Sequence, residues 1–165
     1  MVEDTCRGVV FDLDETLVDT SPLSGLREER NWRGAVQRLH LTHVYPNIRE
    51  TLQYLREHAI PWAVVTTSVS YYARSVLDHH GIDCHELIAY HDVEPKPSPA
   101  PICLAIERLG VACANSLGVG DSEYDLKAYR AAGIQALGAG WTSDLWDGEW
   151  DSVLHDPGDL VDLLQ

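Results

Sequence analysis

Lysine is almost missing from this 165-residue sequence: only Lys96 and Lys127 occur, beside ten arginines. Either lysine, found at a motif position, therefore carries more information than usual. Positive charge is scarce in general, with 12 basic against 26 acidic side chains and a formal net charge of −14. Surfaces that hold nucleic acid or anionic membranes gain from counterion release by clustered cations, so neither partner is expected. No apolar run approaches the roughly 18 residues of a membrane span. The N-terminus, Met1-Val2-Glu3-Asp4, is acidic where a targeting segment would be basic. A soluble, cytoplasmic protein is the expectation. The four cysteines, Cys6, Cys84, Cys103 and Cys113, form no CxxC pair, which argues against a zinc site or a disulfide framework. They read as reduced core or near-core residues. Eight histidines form no ligand set, and His79-His80 suits charge compensation at a helix end. Trp141, Trp146 and Trp150 read as packing residues, with Trp141 placed to border a site.

What is present is a 45% hydrophobic chain, enough for one core. Val9-Val10-Phe11, Trp62 to Val65, Leu87-Ile88-Ala89, Ser116 to Val119 and Ile134 to Leu137 are short apolar runs that suit buried strands. Between them lie helical spacings: Ile48, Leu52 and Leu55; Val69 to Leu77 before Gly81; Ile102 to Leu109 before Gly110; and Glu123 to Ala132 before Gly133. Ser98 reads as an N-cap with Pro99 at the first helical position. This alternation predicts an α/β fold, a doubly wound, Rossmann-like parallel sheet of about five strands with helices on both faces. Residues 1–165 then form one core domain. A reduced helical cap insertion at about 19–44 interrupts the rhythm.

Ligands bind such sheets beyond the C-terminal strand ends. Asp12 and Asp14, Thr66 and Thr67, and Gly120-Asp121 all follow apolar strand runs directly. Two carboxylates two residues apart on an extended strand share a side and repel unless a cation bridges them. A hard divalent ion such as magnesium resolves the conflict and also neutralises phosphate oxygens. One carboxylate can then attack phosphorus while the other protonates the leaving oxygen and later activates water.

Phe11-Asp12-Leu13-Asp14-Glu15-Thr16-Leu17-Val18-Asp19-Thr20 resembles the first motif of the haloacid dehalogenase-like superfamily of phosphohydrolases. Val64 to Ser68 resembles the second, Glu94-Pro95-Lys96-Pro97-Ser98-Pro99 the third, and Gly118 to Asp125 the fourth. Four motifs in order make the likeness specific over roughly residues 7 to 140, nearest in pattern to the phosphoglycolate-phosphatase-like branch. The resemblance implies a magnesium-dependent phosphatase working through an aspartyl-phosphate. It makes Asp12 the nucleophile and a metal ligand, and Asp14 the general acid/base with its backbone carbonyl on the metal. It makes Thr66 a phosphoryl-binding hydroxyl, favoured over Thr67, and Lys96 the cation beside the nucleophile. Asp121 becomes a further ligand, and Asp125 either supports the metal water or pairs with Lys96.

Glu15 stands where the family often has Gly, and Thr67 where it often has Asn; both bear on substrate fit. Only 54 positions separate Asp12 from Thr66, too few for a full cap. An open mouth would admit larger phosphorylated molecules or be closed by a second copy of the chain as a homodimer. Arg27, Arg30, Arg33 and Arg38 crowd this insertion. Arg30 and Arg33 are candidate contacts, with Thr67, for a second anionic group on the substrate; the alternative is a solvated face paired with Glu28 and Glu29. Two other readings of the same fold stay open, a phosphotransferase or mutase and a catalytically silent scaffold.

Overall fold

The computed structural model describes residues 7–165. Six parallel strands form the main sheet: β1 (Val9–Phe11), β4 (Trp62–Val65), β5 (Leu87–Ile88), β6 (Leu117–Gly120), β7 (Gln135–Ala139) and β8 (Ser152–Leu154). Their order is β5-β4-β1-β6-β7-β8. After β1 the chain builds outward to β4 and β5, then crosses back to lay β6 on the other side of β1. The seam between β1 and β6, with Val9 opposite Leu117 and Phe11 opposite Val119, is thus the topological switch point of a doubly wound sheet. The sixth strand, β8, departs from the expected five. Ser152 and Val153 are both exposed, so this edge strand carries no apolar run to announce it.

The central strands are buried on both faces, which is why they read as continuous hydrophobic runs. Val9, Phe11 and Val64 join a core with Leu52, Leu55, Tyr72 and Val76 from α3 (Ile48–Glu57) and α4 (Ser70–His79). Val10, Ala63 and Val65 point the other way, into a core with Ile102, Ile106, Leu126 and Tyr129 from α5 (Ala100–Leu109) and α6 (Glu123–Ala132). Each fully buried aliphatic or aromatic side chain contributes about 1.5–3 kcal/mol. A C-terminal helix, α7 (Asp159–Leu164), adds Leu160 to the first of these cores. Helix α5 begins at Ala100, one residue later than expected, with the Ser98 hydroxyl accepting from the Ala100 amide at 3.1 Å.

The insertion is a small antiparallel stem, β2 (Val18–Asp19) on β3 (His43–Val44), carrying two short helices, α1 (Ser24–Glu28) and α2 (Trp32–Val36). Arg30 has a left-handed backbone, φ 57°, between these helices. Helix α2 packs on α4, with Trp32 and Tyr72 ring centroids 5.2 Å apart. At its base the Thr42 hydroxyl donates to the Leu39 carbonyl at 2.6 Å and meets His80 Nε2 at 2.7 Å. His80 thus anchors the insertion as well as ending α4.

Two expectations need correction. Cys84 is buried, but Cys103 is exposed on the outer side of α5 and is not a core residue; Cys113 is intermediate, and Cys6 lies outside the described residues, as does the acidic N-terminal segment. Trp146 is an exposed side chain, not a packing one. No helix among the described residues is long and apolar enough to cross a membrane.

Candidate active site

Strand β1 delivers Asp12, whose amide continues the ladder to the Val119 carbonyl at 3.0 Å. Strand β6 delivers Asp121 beside it. The turn into α6 then returns Asp125 to the same place. Ser122 caps this helix in a reciprocal box: its hydroxyl accepts from the Asp125 amide at 3.2 Å, and Asp125 Oδ2 accepts from the Ser122 amide at 3.1 Å. Asp125 Oδ2 also accepts from the Asp121 amide at 3.1 Å. Gly120 makes the approach possible, since a Cβ there would lie 2.6 Å from the Asp125 carboxyl.

Lys96 crosses from the loop before α5 and ends between the carboxylates, its side chain 2% exposed. Its ammonium donates to Asp12 Oδ1 at 3.1 Å, to Asp125 Oδ1 at 2.5 Å and to the Val65 carbonyl at 2.8 Å. All three N–H groups are thereby committed. Burial opposes the charge on Lys96, but the Asp12 and Asp125 carboxylates outweigh it and push the ammonium pKa up. Asp12 is itself pushed up to about 6, by burial and then by the negative charge of Asp125, with Lys96 pulling the other way. Asp121 rises to about 11, through burial and the charge of Asp12. Carboxylate oxygens of Asp12, Asp121 and Asp125 lie within 4.8 Å of one another, so the cluster can hold a metal ion. The Thr16 hydroxyl sits between them, 3.3 Å from both Asp12 Oδ2 and Asp121 Oδ1.

The Asp14 carboxyl lines the same cavity as Asp12 but is held by a different set of partners. The strand ends at Phe11, and the chain turns at Glu15, which has a left-handed φ of 63°. That conformation explains why glycine is common at this position in the resembled motif. Asp14 Oδ1 accepts from the Thr20 hydroxyl at 2.7 Å and the Tyr72 hydroxyl at 2.8 Å, and Oδ2 from the Ser68 hydroxyl at 3.0 Å. Glu15 accepts from the Thr20 amide at 2.9 Å and from the Tyr45 hydroxyl at 3.4 Å. Burial and the nearby Asp19 charge raise the Glu15 pKa. Trp141 holds the turn from behind, its indole N–H donating to the Thr16 carbonyl at 2.9 Å.

A cavity of about 270 Å³ is lined by Asp12, Asp14, Thr67, Lys96, Asp121 and Arg27, among others. Thr67, not the favoured Thr66, is among the lining residues; Thr66 is buried, its hydroxyl accepting from the Ser68 amide at 3.0 Å. Arg27 is the insertion arginine whose guanidinium reaches the carboxylates. Arg30 lies over the Tyr90 ring at 5.0 Å, and Arg33 is exposed on α2 away from this cavity. Tyr72 reads from the sequence as a buried helix position; nothing in its helical spacing shows that its hydroxyl meets Asp14. Thr16, Thr20 and Ser68 fall inside the motif segments, but their partners are not legible there.

The family model for haloacid dehalogenase-like hydrolases matches residues 27–139. A phosphoglycolate phosphatase from Pseudomonas putida is 30% identical over 80% of this chain and 68% of its own length. One from Nitrosococcus oceani is 33% identical over 74% of this chain and 58% of its own. The chain thus spans between half and about two thirds of these relatives. The solved structure of a predicted phosphoglycolate phosphatase from Haemophilus somnus superposes with a TM-score of 0.84 at 22% identity, covering 99% of this chain and 100% of that one. This last likeness concerns the fold.

Proposed function

The chain belongs to the haloacid dehalogenase-like hydrolases, and from that premise we propose a magnesium-dependent phosphatase that cleaves a phosphate monoester through an aspartyl-phosphate on Asp12. One observation carries the reading: three buried carboxylates converge with a single ammonium among them. Fully ionised, the cluster is short of two positive charges, the deficit a divalent cation fills. Asp12 and Asp121, with the backbone carbonyl of Asp14, would hold magnesium, which when bound neutralises phosphoryl oxygens. Asp125 has both oxygens engaged, so it acts by fixing Lys96 and the Asp121 amide.

In this reading an Asp12 oxygen attacks phosphorus, and the bond to the ester oxygen breaks. Asp14, on the wall of the same cavity, gives a proton to the departing alkoxide. It then takes a proton from the water that attacks the acyl phosphate, which releases inorganic phosphate and restores Asp12. Lys96 holds Asp12 in place and faces the charge on the transferring group. Thr66 and Thr67 offer hydroxyls at the end of β4. Because the named relatives are phosphoglycolate phosphatases, phosphoglycolate is the first ester to assay.

Purified protein should release phosphate from p-nitrophenyl phosphate with magnesium and stop when the metal is chelated. Asp12→Asn should lower the rate on the order of a thousandfold or more. Absence of hydrolysis with magnesium across a broad panel of phosphate esters would overturn the reading.

A further inference from the structure

Arg27 differs from the other charges around the cavity. It projects from α1 with its side chain 21% exposed, and it approaches Asp14 Oδ2 at 3.7 Å and Glu15 Oε1 at 4.0 Å. Neither distance is a hydrogen bond. Its Nε is buried without a partner among the described residues. A guanidinium serving only as a counter-ion favours a short, forked pair with a carboxylate. Here that pairing is pre-empted: the Thr20, Ser68 and Tyr72 hydroxyls occupy Asp14, and Thr20 and Tyr45 occupy Glu15. Arg27 therefore keeps donors to spare.

The rest of the cavity lining sharpens this. Asp12, Asp14, Glu15, Asp121 and Asp144 make it acidic, and Lys96 has no free N–H. Among the described residues lining the cavity, Arg27 is the cation with uncommitted donors. It also borders, with Thr67, an adjoining cleft of about 330 Å³ that includes Arg30 and Tyr90. Arg30 has no acidic partner among the described ion pairs and stacks on Tyr90 instead. Two cations of the insertion thus border a trough leading away from Asp12.

Building on the phosphatase reading, we propose that Arg27 determines specificity for a second anionic group on the substrate. The substrate is then a compact phosphate monoester that also carries a carboxylate or a second phosphate. Its ester phosphoryl sits at Asp12 and its other anion at Arg27, with Arg30 reinforcing from the adjoining cleft. A second anion placed elsewhere in the cavity would meet carboxylates.

The test is a matched set of two-carbon phosphate esters ending in a carboxylate, a second phosphate or a neutral hydroxyl, assayed with magnesium. The unaltered enzyme should favour at least one anionic ester over the neutral one in kcat/KM by about ten- to a hundredfold, the worth of a charge-assisted contact. Which anion leads identifies its chemistry. Arg27→Gln should collapse that ratio to within about threefold, Arg27→Lys should keep part of it, and the exposed Arg30→Gln should lower it less. Reading a ratio cancels any general loss of rate. Equal rates on all three esters, or an unchanged ratio in Arg27→Gln that melts like the parent protein, overturns the proposal and leaves the phosphatase reading intact. If no ester is hydrolysed at all, the phosphatase reading itself fails and takes this proposal with it.

Discussion

The two walls of the cavity are built on opposite plans. On the sheet side, Lys96 and Asp125 are buried and their polar atoms are committed to named partners. On the insertion side, Arg27 and Arg30 sit on or beside helices of five residues, and neither donates a hydrogen bond from its guanidinium among the described residues. The difference teaches a division of labour. In the proposed reading, the groups that hold one geometry through the reaction are set by strand ends and a capped helix. The groups proposed to meet a substrate are left with spare donors.

The comparison can be broken most sharply by removing one cation from each wall. Lys96→Met strands Asp12 and Asp125 as buried carboxylates, and should cost about 3–5 kcal/mol of stability together with nearly all activity. Arg27→Met should change stability by no more than about 1 kcal/mol. Urea melts of the two variants, read beside phosphate release, check both; equal losses would erase the distinction.

A smaller contrast comes from two glycines. Gly120→Ala drives a methyl into the Asp125 carboxyl, 2.6 Å away, and should cost about 1–3 kcal/mol while displacing Lys96. Gly25→Ala, within α1, meets nothing within 4 Å and should stabilise the insertion by about 0.5–1 kcal/mol. Thermal melts should therefore move in opposite directions.

The gentlest test uses pH and metal. In metal-free protein, Asp12 near 6 and Asp121 near 11 retain protons that the unfolded chain gives up above about pH 4. The folded state then binds more protons, so its stability falls as pH rises from about 4 through those values. Asp121→Asn removes one of these groups. It should raise the melting temperature of metal-free protein at pH 8 by a few degrees and flatten the decline. Magnesium should stabilise the parent protein, by about 2.7 kcal/mol at a hundred times its dissociation constant, and should do much less for Asp121→Asn.

How far the sequence discloses all this follows the same division. Short apolar runs ending in Asp12, Thr66 and Asp121 are legible because a strand buried on both faces has no polar residue until it ends. Asp125 is legible too, four residues after Asp121 on a helix whose N-cap, Ser122, is visible. The Asp14 environment is not. Its partners, the Thr20, Ser68 and Tyr72 hydroxyls, come from separate segments that only the folded chain brings to the carboxyl. Nor can sequence separate Arg27 from Arg30 and Arg33. Their helices are too short for a periodic face, and the left-handed Arg30 resets the phase between them. Strand β8 is not legible either, because an exposed edge needs no hydrophobic signature.

The seam between β1 and β6 also sets an order of events. Asp12 and Asp121 become neighbours only when two parallel strands close over an intervening chain; Thr16, which touches both, is 105 residues from Asp121. Contacts of such long range form late, because the entropy of closing the loop must be met before they give anything back. A growing chain therefore carries Asp12 long before it carries Lys96 and Asp121, the groups that surround it. If Asp12 is the nucleophile, its setting is complete only once the middle of the sheet has closed.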